Sequence, residues 1–148
     1  MSLENIISEA IKTAMREKDR VALDSLRAVK SQILLLKTEA RGAEVSAEQE
    51  IAILQRMIKQ RKDSFEQFTA QGRQDLAEVE DAQMKVIEKF LPKQLSPEEL
   101  ETEIKTIISE TGAESIKDLG KVMGAASKAL AGKSDGKSIS EMVKKLLS

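Results

Sequence analysis

Along nearly the whole chain the apolar residues return every three or four positions, and no stretch alternates with the two-residue period of a half-buried strand. That pattern predicts an all-α fold. A first helix is expected from about Leu3 to Glu17, with Leu3, Ile7, Ala10 and Ala14 on one face. A turn at Lys18 and Asp19 leads to a second, from about Asp19 to Arg41. Its stripe is Ala22, Leu26, Val29, Ile33 and Leu36, and Gly42 is placed to stop it. Ser46 and Gln49 have the spacing of a capping box, in which each side chain bonds the other residue's backbone N–H, so a third helix should run from Ser46 to about Gln71. Its predicted core face is Ile51, Leu54, Ile58, Phe65 and Phe68. A fourth, from about Arg73 to Phe90, carries Leu76, Val79, Val86 and Phe90. One slot in each of these last two stripes is polar, Arg61 and Gln83, and both are expected to be buried for structural reasons.

The two prolines, Pro92 and Pro97, both fall in the segment LPKQLSP that follows Phe90. Proline disfavours helix in the residue before it, so the segment reads as a boundary. It divides an N-terminal helical bundle of about four helices (1–92) from a small three-helix tail domain (93–148). Ser96 caps the fifth helix, Pro97 takes its first position, and Glu98 and Glu99 meet the positive end of its dipole. Leu100, Ile104, Ile107 and Ile108 give it a core face until Gly112. The sixth helix is expected from about Ile116 to Ala131, with Leu119, Val122, Met123, Ala126 and Leu130 inward and Gly132 after it. Residues 133–137 form a turn by composition. Ser138 and Glu141 then read as a second capping box opening a seventh helix that carries Ile139, Met142, Val143, Leu146 and Leu147.

Composition narrows the chemistry. The 148 residues include no Cys, His, Trp or Tyr. The usual metal ligands and nucleophile activators are therefore missing, and no catalytic residue, metal site or cofactor is expected. The N-terminal MSLENIISEA has neither the basic region nor the apolar run of a signal peptide, and no run reaches membrane-spanning length, so a cytoplasmic location is expected. The 24 basic and 25 acidic residues nearly cancel, but they are unevenly placed. Between Ser96 and Glu114 six acids face the single base Lys105. From Ser115 onward seven Lys oppose Asp118, Asp135 and Glu141, a local excess of four positive charges. All Arg lie at or before Arg73, so the tail offers only ammonium groups, which suit diffuse phosphate contact better than bidentate reading of bases.

Three features could carry function. Arg61 needs a partner if it is buried, and Asp63, Glu66, Asp75, Glu80 and Asp81 are the nearby acids. Gly132-Lys133-Ser134 looks like the end of a phosphate-binding loop, but the first glycine of that motif would fall on Ser127 and a helix precedes it, so the motif fails. Ser134 and Lys137 have the bare S-x-x-K spacing of some acyl enzymes without the accompanying elements. A binding role suits the region better. Gly136 and Ser138 are expected to precede a helix N-terminus, where free N–H groups attract anions, with Lys133 and Lys137 adjacent. Lys121 and Lys128 lie on the sixth helix, and Gly120 and Gly124, four apart, leave a smooth strip for another backbone.

Several segments together resemble the YqeY-like family: Arg61-Lys62-Asp63-Ser64 through Phe68, Gly72-Arg73-Gln74-Asp75-Leu76, Phe90 through Leu95, Asp118 through Gly124, and Ser134-Asp135-Gly136-Lys137. The resemblance covers essentially the whole chain. It implies a helical bundle joined to a tail similar to the tail domain of the B subunit of the tRNA-dependent amidotransferase, a module that contacts tRNA. By that analogy the RNA-facing residues are Gly120, Lys121, Gly124, Lys128, Lys133, Gly136 and Lys137. The expected function is a noncatalytic tRNA-binding adaptor. The resemblance also implies a link to carbon–nitrogen ligases that use glutamine as amide donor. The chain holds neither the serine-rich amidase signature nor a large nucleotide-binding part, so in isolation no such activity is expected. Two other roles follow: an accessory component of an amidotransferase or another translation-related protein, and a helical protein-binding scaffold.

Overall fold

Side chains at the helix starts set most element boundaries in the computed structural model, which describes residues 2–148. Ser2 accepts from Asn5 N–H and opens α1 (Leu3–Glu17), and Asp19 accepts from Ala22 N–H and opens α2 (Arg20–Glu39). Between them Lys18 sits in the left-handed region, φ 56°, where its N–H closes the end of α1. The Ser46–Gln49 box is complete in both directions and opens α3 (Ala47–Ala70); α4 (Gln74–Glu88) follows without a side-chain cap. A second complete box, Ser96 with Glu99, and Pro97 in the first turn open α5 (Pro97–Thr111). A 3₁₀ turn (Ile116–Asp118) leads to α6 (Leu119–Ala129), and α7 (Gly136–Leu147) ends the chain. All regular elements among the described residues are helical.

The chain divides into two compact units, Met1–Leu91 and Pro92–Ser148. In the first, α3 packs most extensively on α4, α1 on α2, and α2 on α4. Its core gathers Leu3, Ile7, Leu26, Val29, Ile33, Ile53, Leu54, Met57 and Ile87. Each such aliphatic side chain contributes about 1.5–3 kcal/mol on burial. Two predicted faces hold in part, with Leu54 in the core and Ile58, Val86 and Phe90 packed against it. On α3 the fully buried residues are Ile53, Leu54 and Met57, whereas Ile51, Ile58, Phe65 and Phe68 are only half-buried. On α4 they are Ala77 and Ile87, and Val79 stands 45% exposed. Isoleucines at 51, 53 and 58 satisfy two overlapping three-four stripes, and packing selects one that spacing leaves open. Ser25 is fully buried among apolar neighbours, its hydroxyl donating to Val21 O at 2.8 Å.

In the second unit α5, α6 and α7 each touch the other two around Leu100, Ile104, Val122, Ala126, Ile139 and Val143. The start of α7 differs from expectation. Asp135, not Ser138, is the N-cap, and its carboxylate accepts from Ser138 N–H at 2.6 Å. Asp135 and Ser138 are three apart, the cap-to-N3 spacing, and Asp caps as well as Ser does, so the helix begins one turn earlier and no Ser138–Glu141 box forms. The sixth helix is also shorter than expected, because its first turn tightens to 3₁₀. The segment before α5 is tied down within this unit. Leu95 N–H donates to Lys133 O at 2.9 Å, and the Gln94 amide donates to Gly132 O at 2.6 Å and to Pro92 O at 2.9 Å.

Candidate nucleic-acid interface

At about 100° of rotation per residue, Gly120, Gly124, Lys128 and Lys121 fall within an arc of about 100° on α6. All four are exposed, and Val122 and Ala126 on the opposite side are fully buried. A Cβ built on Gly120 or Gly124 meets no atom within 4 Å beyond its chain neighbours and the adjoining helix backbone. Neither glycine therefore serves close packing inside the unit. Glycine inside a helix costs about 0.5–1 kcal/mol relative to alanine, and Gly124, in the interior of α6, carries that cost without a compensating contact outside the helix.

The remaining residues of the cluster lie on the α6–α7 turn and the first turn of α7. Lys133, Gly136 and Lys137 are exposed. The expected anion site at this helix start is altered, because Gly136 and Lys137 stand inside the first turn and Asp135 already occupies the N-terminus with a carboxylate. Gly132 adopts φ 78°, a backbone conformation suited to glycine, and its carbonyl takes the Gln94 amide, so Gly132-Lys133-Ser134 is a helix-terminating turn, not a phosphate loop. Lys144 lies seven residues after Lys137, two helical turns along the same exposed line of α7. The structure thus brings Gly120, Lys121, Gly124 and Lys128 onto one helical face and leaves Lys133, Gly136 and Lys137 on the neighbouring turn and helix start.

The two polar residues of the first unit meet each other. Arg61 Nε donates to Gln83 Oε1 at 3.3 Å, and Arg61 Nη1 donates to Met57 O at 3.2 Å. Both side chains are half-buried, and the partner is a neutral amide on α4 instead of one of the nearby acids. Of those acids, Asp75 pairs with Arg73 through two hydrogen bonds, at 3.1 and 3.2 Å, which hold its carboxyl below the ordinary range. Asp81 pairs with Lys85 at 2.8 Å. Among the described residues no cluster of three or more His, Cys, Asp or Glu could hold a metal ion, and no helix is long and apolar enough to cross a membrane.

Helices throughout and two small cores define a member of the all-α class in which the basic face belongs to the C-terminal unit. The chain belongs to the Yqey-like protein family, whose model matches residues 4–147. It is 35% identical over 92 residues to "Altered inheritance of mitochondria protein 41, mitochondrial" of Meyerozyma guilliermondii, covering 59% of this chain and 45% of that protein. The protein of the same name from Pyrenophora tritici-repentis is 27% identical over 141 residues, 93% of this chain and 76% of that one. The one from Vanderwaltozyma polyspora is 28% identical over 118 residues, 74% and 64% respectively. The chain thus spans about half to three quarters of the length of these relatives. Their names overturn the expectation of a simple cytoplasmic location. Compartment is written in receptor-read targeting segments, and neither composition nor a folded helical surface encodes it.

Proposed function

We propose that the chain is a noncatalytic RNA-docking adaptor whose C-terminal unit rests on the sugar-phosphate backbone of RNA, tRNA in the first instance. The observation that carries this reading is the open surface at Gly120 and Gly124. Two glycines in the first half of α6 that nothing outside the helix approaches make sense where a foreign backbone must come close, and Lys121 and Lys128 flank them on the same face. The local excess of four positive charges supplies attraction without base reading, consistent with lysine rather than arginine. The motif resemblance in the sequence, which implies a tail similar to that of the amidotransferase B subunit, favours tRNA over other RNA. Lys133 and Lys137 extend the contact; the Asp135 carboxylate removes the α7 N-terminus from it.

The test is tRNA binding by the full chain across a salt series. About four phosphate contacts give a log–log slope near −3. Lys121→Glu with Lys133→Glu should weaken binding and flatten the slope by about two units. Affinity that ignores both salt and the double reversal would remove the site.

A further inference from the structure

The first unit carries a cleft of about 480 Å³ between α2 and α3 that its own core does not fill. From α2 it is lined by Gln32, Leu35, Leu36 and Glu39, spaced i, i+3, i+4, i+7; Leu36 also packs against the core, and Leu35 stands outside it. Leu35 is 53% exposed in this stripe, and Leu34 beside it is 44% exposed. From α3 the cleft receives Ile53 and Arg56, and Arg56 Nη2 donates to Gln32 Oε1 at 3.0 Å. We propose that this face pairs with a second copy of the chain about a two-fold axis that passes between Leu35 and Leu36.

The argument is self-complementarity. When α2 lies antiparallel to α2 of a second copy on that axis, Leu35 of each faces Leu36 of the other, and Gln32 faces Glu39. Because Arg56 already rests on Gln32, the incoming Glu39 carboxylate arrives beside the Arg56 guanidinium, and symmetry makes the same contact twice. One surface therefore holds both the protruding leucine and the cleft that receives it, and both the acid and the base, as an isologous interface requires. The stripe has the spacing of a helix-pairing seam, with a leucine pair at its centre and charged or amide ends. An unrelated partner would have to supply that symmetric charge pattern by chance; a second copy supplies it by construction.

Sedimentation equilibrium of the full chain tests this. The expected result is a reversible dimer. Glu39→Arg alone and Arg56→Glu alone should each weaken it about tenfold, since two contacts turn repulsive together, and the double reversal should restore it. Both substituted positions sit at the surface, so unchanged far-ultraviolet dichroism verifies that each of the three variants is folded. A chain that stays monomeric up to about 1 mM overturns the proposal, as does a dimer indifferent to both reversals or one not restored by the pair. Capture of a different helical partner by a monomeric chain would likewise assign the cleft elsewhere.

Discussion

Among the described residues, replacing Gln83 by leucine removes the side-chain acceptor of the Arg61 guanidinium and leaves a half-buried cation bonded to Met57 O alone. A hydrogen bond to a charged group is worth about 1.5–3 kcal/mol when well formed and buried. At 3.3 Å this one lies just beyond the usual N–H···O range of about 2.7–3.2 Å, and both side chains are partly solvated, so the loss comes down to about 1 kcal/mol. For a unit of about ninety residues that is a fall in Tm of about 4–8 °C. Arg61→Leu should cost a similar amount, because the same bond disappears together with the bond to Met57 O. The double variant should cost less than the sum, leaving a coupling of about 1 kcal/mol. The chain has no Trp or Tyr, so the assay is urea and thermal unfolding followed by circular dichroism at 222 nm. Additivity of the two single changes within about 0.3 kcal/mol would show that the contact does not join α3 to α4 energetically.

Gly120→Ala and Gly124→Ala should each raise stability by about 0.4–1 kcal/mol, since the added methyl meets open space, and both should lower tRNA affinity; affinity preserved in the doubly substituted chain argues against close approach at this face. Ile104→Ala, in the core of the second unit, should cost about 2–5 kcal/mol through the cavity it leaves, measured by the same urea titration. The Glu99 carboxyl is held below its ordinary range, chiefly by accepting the Ser96 N–H and secondarily by the Ser96 side chain. A depressed folded-state value means that its contribution is present above the ordinary glutamate range and is lost as pH falls through the folded value. Glu99→Gln should therefore flatten the acid limb of the stability profile, and an unchanged limb would show that the box adds nothing there. Purified chain incubated with glutamine should release no ammonia in a coupled assay; robust release would end the noncatalytic reading.

The helices were legible because their starts are chemical: Ser46 with Gln49 and Ser96 with Glu99 close as capping boxes, and each is set by two residues three apart. Faces were less legible. The helical period admits two stripes through Ile51, Ile53, Leu54, Met57 and Ile58, and only the neighbouring helices choose between them. The same limit governs Arg61. Its need for a partner follows from its place in an apolar stripe, but spacing along two separate helices does not reveal that Gln83, the polar slot of α4, meets it. At the tail, Asp135 and Ser138 are both competent caps, and the choice between them turns on one turn of helix that local propensity leaves nearly balanced. The openness around Gly120 and Gly124 is a three-dimensional fact, invisible to spacing.

The Asp135 cap makes the chain its own competitor at the basic end. On the docking reading, a carboxylate seated on the N–H of Ser138 stands where a phosphate oxygen would otherwise bind. Asparagine caps a helix about as well as aspartate, so Asp135→Asn would leave α7 in place while lifting the charge excess of the segment from four to about five. On the docking reading this residue works as a brake that sets affinity below the maximum the lysines could reach.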